Sequence, residues 1–294
     1  MRANMLIDTY PSYLEFWASA RDWPLEEQIE GWRSTYLAPW PELLEKQLRD
    51  YVSQKMDWRQ VARQRVFPFL AQRSVAMRTA HDNLLDLWES SVRRAQEVLG
   101  WNSGLALVIH VGIGSGAGWA TTFQGWPAVL LGLENIAEEA WQEPAALRGL
   151  LAHEVGHLAH FDWRARPGLP EGSGPWWDLY TEGFAQRCES LSAGESWHMT
   201  AGDTAWRAWC VEHQTWLAAA FLRAADKGES TRRFFGSWHQ VGGHKQTGYY
   251  LGHQVVDRLQ ASLTLQEIAL LPDPGQAVRA VLVEMAEAEP ACPS

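Results

Sequence analysis

The spacing of apolar positions predicts helices for the first third of the chain. Up to about residue 100, aliphatic residues recur at helical intervals among charged residues and good helix formers. These positions include Leu43, Leu44, Leu48, Leu84 and Leu87. The segment Trp-Asn-Ser-Gly at 101–104 then interrupts the pattern. We therefore predict a helical N-terminal lobe over residues 1–100 and a second domain over residues 101–294.

The second domain begins with short apolar runs that are typical of strands. Residues 105–113 form a β-branched run of strand length, and two further runs follow at 118–123 and 128–133. After Pro144 the pattern predicts helices separated by loops rich in glycine and proline. These helices are expected at 144–160, 178–191, 203–226, 247–261 and 275–288. The expected fold class is α+β and mostly helical, with a small sheet preceding the helices.

Composition narrows the classes of partner. The chain of 294 residues carries 25 Lys and Arg against 35 Asp and Glu, which gives a net charge of -10. Because this balance does not attract nucleic acid or an anionic membrane, we expect neither as a partner. The apolar stretches are far shorter than the roughly 20 residues needed to cross a bilayer.

The N-terminus and the cysteines indicate the cellular compartment of the protein. The N-terminus lacks the basic and then apolar order of a secretory signal. Three cysteines, Cys188, Cys210 and Cys292, are too few and too widely spaced for a disulfide framework. Together these features predict a cytoplasmic protein.

One predicted helix carries the residues most suited to chemistry. Residues 144–160 begin with a proline suited to a first helical turn and contain the sequence His153-Glu-Val-Gly-His157. Four residues advance a helix by slightly more than one turn, so both imidazoles can bind one zinc ion beside Glu154. Zinc with three protein ligands lowers the pKa of a bound water to about 7, and a nearby carboxylate can accept its proton. The alternative is that this His-Glu-x-x-His pattern is a chance match, in which case the two histidines have only a structural role.

The third ligand distinguishes classes of zinc site. Metzincins place a glycine and then a histidine three and six residues after the second ligand. His160 and Trp163 stand at those positions here, which excludes that class. A glutamate on the following helix is the other common solution, and Glu182 lies within the predicted helix at 178–191. Its apolar neighbours, such as Phe184, favour a ligand over a solvated surface carboxylate.

Three segments, at 153–157, 182–185 and 248–256, resemble gluzincin metallopeptidases, and in particular the DUF2268 family of predicted zinc-dependent proteases. They fall between about residues 105 and 260. The resemblance implies a zincin-like fold, peptide or protein substrates, and a strand before the motif helix as a wall of the cleft. It also implies one zinc ion bound by His153, His157 and Glu182, with Glu154 as general base.

A donor for the developing oxyanion is expected on the helix at 247–261. Negative charge grows on the carbonyl oxygen during attack by water, and a donor aimed at it lowers the barrier. Tyr249 and His253 have helical i, i+4 spacing, and Tyr250 is the alternative to Tyr249. The resembling family usually has a second tyrosine where His253 stands. We expect Tyr249 to be the donor, and the alternative for all three is a packing role.

Two other functions are compatible with these patterns. One is a non-catalytic, peptidase-like protein that binds a peptide or partner, and the other is a hydrolase of a non-peptide amide. The glycine-rich segment at 112–118 resembles a phosphate-binding loop, but a strand follows it and the Lys-Ser/Thr signature is absent. We interpret this segment as a flexible turn beside the cleft.

Overall fold

The computed structural model describes residues 3–53, 55–194, 197–200, 205–236 and 238–288. Its secondary structure is mostly helical with a small mixed sheet, which confirms the predicted α+β class. Two compact units form: one contains residues 1–91 and 102–154, and the other contains residues 92–101 and 155–294. These units do not follow chain order, so the domain division at residue 100 stays a prediction.

The first unit contains the sheet, in which the strand order is β1-β2-β4-β3. The strands are β1 (Met5–Asp8), β2 (Ala106–His110), β3 (Gly118–Phe123) and β4 (Trp126–Gly132). Strands β1, β2 and β4 are parallel neighbours, and β3 pairs antiparallel with β4 at one edge. Three of these strands were predicted, whereas β1 lies where the pattern indicated helix. The prediction failed there because a four-residue strand has little pattern of its own and pairs about a hundred residues away.

Helices of the first unit cover the sheet and the segments that leave it. They are α1 (Tyr10–Ala20), α2 (Leu25–Gly31), α3 (Pro41–Ser53), α4 (Trp58–Val61), most of α5 (Phe67–Leu99) and α6 (Leu133–Glu138). Trp32 and Tyr36, between α2 and α3, are buried, and their polar atoms bond to the backbone after β2. Trp32 Nε1 donates to the carbonyl of Val111 at 2.9 Å, and the amide of Val111 donates to the Tyr36 hydroxyl at 3.0 Å. These contacts fix the point at which the chain leaves the sheet.

The second unit is built from helices. After the start of α7 (Pro144–Ala165), the chain forms α8 (Pro175–Ala193), α9 (Ala205–Glu212), α10 (Gln214–Asp226), α11 (Thr247–Leu259), α12 (Leu265–Ala269) and α13 (Pro274–Glu287). The single helix predicted at 203–226 is wrong, because the chain breaks at His213, whose ring Nδ1 contacts the Trp209 carbonyl at 2.9 Å. Residues 203 and 204 lie outside the described residues.

Helices α8 and α11 pack closely against each other in the second unit. A Cβ atom on Gly183 would lie 2.2 Å from the backbone carbon of Gly252, so the two backbones touch where both residues lack side chains. Cys188 and Cys210 are buried thiols in this unit, and Cys292 lies outside the described residues. None of the described helices has both the length and the apolar content of a membrane span.

Candidate metal centre

Helix α7 presents the two histidines of the motif. It begins at Pro144, as predicted, and continues to Ala165, five residues beyond the predicted end. Its apolar positions are fully or almost fully buried, at Leu147, Leu150, Leu151, Val155 and Leu158. Because this face is packed, the helix cannot rotate about its axis without exposing it. His153 and His157 therefore point from a helix whose rotation is set by its own core contacts.

A small residue in α7 lets α8 approach the second histidine. A Cβ atom on Gly156 would lie 2.7 Å from the Cβ of Cys188 and 3.2 Å from the Cα of Ala185. Glu182 precedes Ala185 by one turn of α8 and reaches His157, with 3.5 Å between Glu182 Oε2 and His157 Nε2. The close packing at Gly156 thus explains how a carboxylate on the next helix meets the imidazole.

The three predicted ligands come together. One ligand atom from each of His153, His157 and Glu182 lies within 4.8 Å of the other two. Ligand atoms on a tetrahedral zinc ion are about 3.3 Å apart when each is about 2.0–2.1 Å from the metal. The His157–Glu182 distance of 3.5 Å is close to that value. Two imidazoles and one carboxylate are also a donor set that catalytic zinc uses, so these residues fit the ion.

Burial differs across this group. The two histidines are buried, whereas the side chain of Glu182 retains 27% of its exposure. Glu182 is therefore neither fully buried nor fully exposed, and its assignment as a ligand stays a prediction. A site with buried nitrogen ligands and a partly exposed carboxylate offers solvent access from one side.

Glu154 lies against the sheet rather than in solvent. Its side chain is buried, and a Cβ atom on Gly118 would lie 2.5 Å from Glu154 Oε1 and 2.9 Å from its carboxyl carbon. Gly118 is the first residue of β3, the antiparallel edge strand. No functional role was predicted for Gly118, which the sequence placed in the glycine-rich segment and at the start of a predicted strand.

A second group of possible ligands shares His153. One atom from each of His153, Glu189 and His198 also lies within 4.8 Å of the others, and all three residues are buried. Glu189 already accepts hydrogen bonds from Gln186 Nε2 at 2.8 Å, from the His198 amide at 2.6 Å and from His198 Nδ1 at 2.8 Å. Because these bonds already occupy most of the acceptor sites of the Glu189 carboxylate, the group with Glu182 is the better candidate metal site.

Glu189 was not predicted as a site residue, although the sequence contains a signal for it. It follows Glu182 by seven residues, which places both carboxylates on the same face of α8. His198 lies beyond the end of α8 and has no spacing relation to the motif. Its partnership with Glu189 arises from the path of the chain after α8.

The candidate oxyanion donors have different surroundings on α11. Tyr250 is buried and its hydroxyl donates to Gln214 Oε1 at 3.0 Å, while burial raises its pKa to about 12. His253 Nε2 shares a hydrogen bond with Ser190 Oγ at 3.1 Å. Tyr249 is half-buried, with its ring edge-on to Phe235. The hydroxyl of Tyr250 and the Nε2 atom of His253 are thus engaged within the second unit, and the role of Tyr249 stays a prediction.

His160 is a buried structural residue. It is fully buried, and its Nε2 donates at 3.0 Å to the Tyr180 hydroxyl, which itself donates to the Ile268 carbonyl at 2.7 Å. Burial lowers the pKa of His160 to about 3, so the ring is neutral near pH 7. These hydrogen bonds link α7 and α8 to α12. They therefore help to fix the two helices that carry the three candidate metal ligands.

No protein-family model, curated protein sequence or solved structure matches this chain. The resemblance to the DUF2268 family therefore rests on the three sequence segments and stays a prediction. Functional inference depends on the residues and their geometry.

Proposed function

We propose that this protein is a gluzincin-type, zinc-dependent metallopeptidase with a zincin-like arrangement of sheet and motif helix. The observation that carries the proposal is the convergence of His153, His157 and Glu182 from two consecutive helices. Glu154 follows the first of these histidines directly in the sequence. This combination of a three-ligand group and an adjacent carboxylate is the set that metal-assisted hydrolysis requires.

The ligands and the base have separate roles. Bound zinc would lower the pKa of a water and polarise the substrate carbonyl. His153, His157 and Glu182 hold the ion. Glu154 accepts a proton from the attacking water and delivers it to the amine that leaves. Its buried position favours this exchange, since few competing water molecules reach a carboxylate packed against Gly118.

A peptide substrate fits the edge of the sheet. Strand β3 is the last strand in the order β1-β2-β4-β3, so one of its edges lacks a strand neighbour among the described residues. An extended peptide can add to such an edge through backbone hydrogen bonds. Because β3 begins at Gly118, a peptide bound along it would run past the carboxyl group of Glu154.

Tyr249 is the proposed donor to the oxyanion. It is half-buried, whereas Tyr250 and His253 on the same helix are buried, so Tyr249 is the most accessible of the three. A phenol donates one hydrogen bond without changing charge near neutral pH, as transition-state stabilisation requires. Replacing Tyr249 with Phe should lower kcat more than it raises KM.

The decisive experiment compares Glu154→Gln with wild type and with Glu143→Gln. Glu143 is an exposed residue immediately before α7 and serves as the matched control. All three proteins should bind one zinc ion, while Glu154→Gln should lose about 100-fold to 10,000-fold in kcat on peptide substrates. Metal analysis and turnover of a peptide library measure the two quantities.

Three results would contradict the proposal. Equal turnover by Glu154→Gln and wild type would reject the assigned base. A zinc-loaded wild type that cleaves no peptide would reject peptidase activity and favour a non-catalytic binding protein. Cleavage confined to non-peptide amides would instead favour the broader hydrolase class.

A further inference from the structure

A buried carboxyl group occupies the glycine-rich turn before β3. Glu134, at the start of α6, is fully buried. The amide of Gly112 donates to its Oε2 at 2.7 Å, and the amide of Gly114 donates to its Oε1 at 3.2 Å. Backbone amides that converge in this way form an anion-binding concavity. Here the chain itself supplies the carboxyl group that fills the concavity, and burial raises its pKa to about 7, so these amides are not available to a phosphate.

Glycine at position 112 is required for this contact. A Cβ atom there would lie 2.6 Å from Glu134 Oε1 and 2.5 Å from Gln47 Oε1. Both distances are shorter than real Cβ contacts, so a side chain at position 112 would push the Glu134 carboxyl group away from the backbone amides. The residue therefore serves the internal carboxylate rather than general flexibility.

Further contacts hold the rest of the segment. The Tyr51 hydroxyl donates to the Ile113 carbonyl at 2.7 Å, and the amide of Gly132 donates to the Ala117 carbonyl at 3.0 Å. The next residue, Gly118, begins β3 and packs against the carboxyl group of Glu154. A continuous series of contacts thus runs from Glu134 through the seven residues of segment 112–118 to the base.

We propose that Glu134 is a positioning residue: it holds segment 112–118 in place and thereby sets the position of Gly118 against Glu154. This inference rests on the proposed function, since Glu154 is the base only in that mechanism. Glu134 does not touch the reacting groups. It acts through the backbone, and its loss should disturb the orientation of Glu154.

The first experiment measures turnover of the zinc-loaded full chain. Glu134→Ala should lower kcat by about 100-fold with little change in KM, because displacing a reacting group by about 1 Å has an effect of that size. Formate is small enough to fill the space left by the carboxyl group and should restore part of the lost activity. Chloride at equal ionic strength should not.

Glu138→Gln is the matched control. Glu138 lies on the same six-residue helix, and its carboxylate pairs with Arg73 at 3.1 Å rather than with the turn. This variant should keep wild-type kcat. A Glu134→Ala enzyme with wild-type kcat, or one whose lost activity formate does not restore, would overturn the inference.

Hydrogen exchange tests the same inference without turnover. Glu134→Gln retains the size of the side chain, but its amide group offers only one acceptor to two backbone donors. Exchange in segment 112–118 should accelerate in Glu134→Gln and stay unchanged in Glu138→Gln. Unchanged exchange in Glu134→Gln would overturn the inference. If wild type cleaves no peptide, the proposed function fails, and exchange still decides whether Glu134 holds the segment.

Discussion

The carboxyl group of Glu154 lies where a side chain on Gly118 would have to be. The ideal Cβ position of Gly118 is 2.5 Å from Glu154 Oε1 and 2.9 Å from Glu154 Cγ. Since these two residues stand on the motif helix and on the edge strand, their contact joins the proposed base to the proposed peptide-binding edge.

Gly118→Ala should lower kcat by about 10-fold to 100-fold while zinc binding is retained. The new methyl group displaces the flexible end of Glu154, so the free energy of unfolding should change little. Steady-state kinetics, metal analysis and urea denaturation measure these effects. Thr122→Ala, at an exposed position of the same strand, should behave as wild type. Wild-type kcat in Gly118→Ala would show that the position of this carboxyl group is unimportant.

Because zinc would bind the folded chain and not the unfolded chain, its removal should lower the free energy of unfolding. At a free zinc concentration about 1,000 times Kd, binding adds about 4 kcal/mol to the free energy of unfolding. A chelator should remove this increment from wild type, and Glu182→Ala should show little increment at the same zinc concentration. Calorimetry with and without zinc measures the shift.

Glu189→Gln distinguishes the two possible ligand groups. It alters the group of His153, Glu189 and His198 and leaves Glu182 in place. We expect this variant to retain the zinc-dependent stabilisation, measured relative to its own metal-free form. Loss of that stabilisation in Glu189→Gln, together with its persistence in Glu182→Ala, would show that zinc binds the group of His153, Glu189 and His198 instead.

Gly183→Ala should destabilise the second unit by about 3 kcal/mol. The added methyl group would lie 2.2 Å from backbone of Gly252, and backbone cannot move aside as a side-chain end can. Gly275→Ala, on α13, is the control because its Cβ would have ordinary contacts at 3.4 Å. That change should be neutral or slightly stabilising, since alanine is the better helix former. Equal unfolding midpoints in urea for the two variants would contradict the prediction.

The stability contributed by His81 should depend on pH. His81 Nε2 contacts Asp8 Oδ2 at 2.9 Å, and this hydrogen bond raises the pKa of His81 above its ordinary value. A raised pKa in the folded state adds stability below the unfolded value of about 6.5, and this addition is lost as pH rises through the folded value. His81→Asn should therefore lose more stability near pH 6 than near pH 9, by about 1 kcal/mol.

Urea denaturation at both pH values measures this difference. His239→Asn is the control, because His239 is exposed and should show no such trend. A stability loss in His81→Asn that is the same at both pH values, or larger at the higher one, would contradict the assigned ion pair.

The local pattern of apolar residues was sufficient to predict much of the secondary structure of this protein. The strands β2, β3 and β4 and the start of α7 follow the predicted ranges, because their apolar runs and first-turn proline act over a few residues. The four-residue strand β1 and the break at His213 did not follow, since strand pairing and local ring contacts override helical propensity there.

The sequence alone determined the relation between His153, Glu154 and His157, because positions on one helix are set by a repeat of 3.6 residues. Tertiary structure decided which groups meet them. Glu182 reaches His157 through the contact of Gly156 with Cys188, and Gly118 meets Glu154 across 36 residues of sequence. Such contacts depend on how separate elements pack, and no local repeat encodes them.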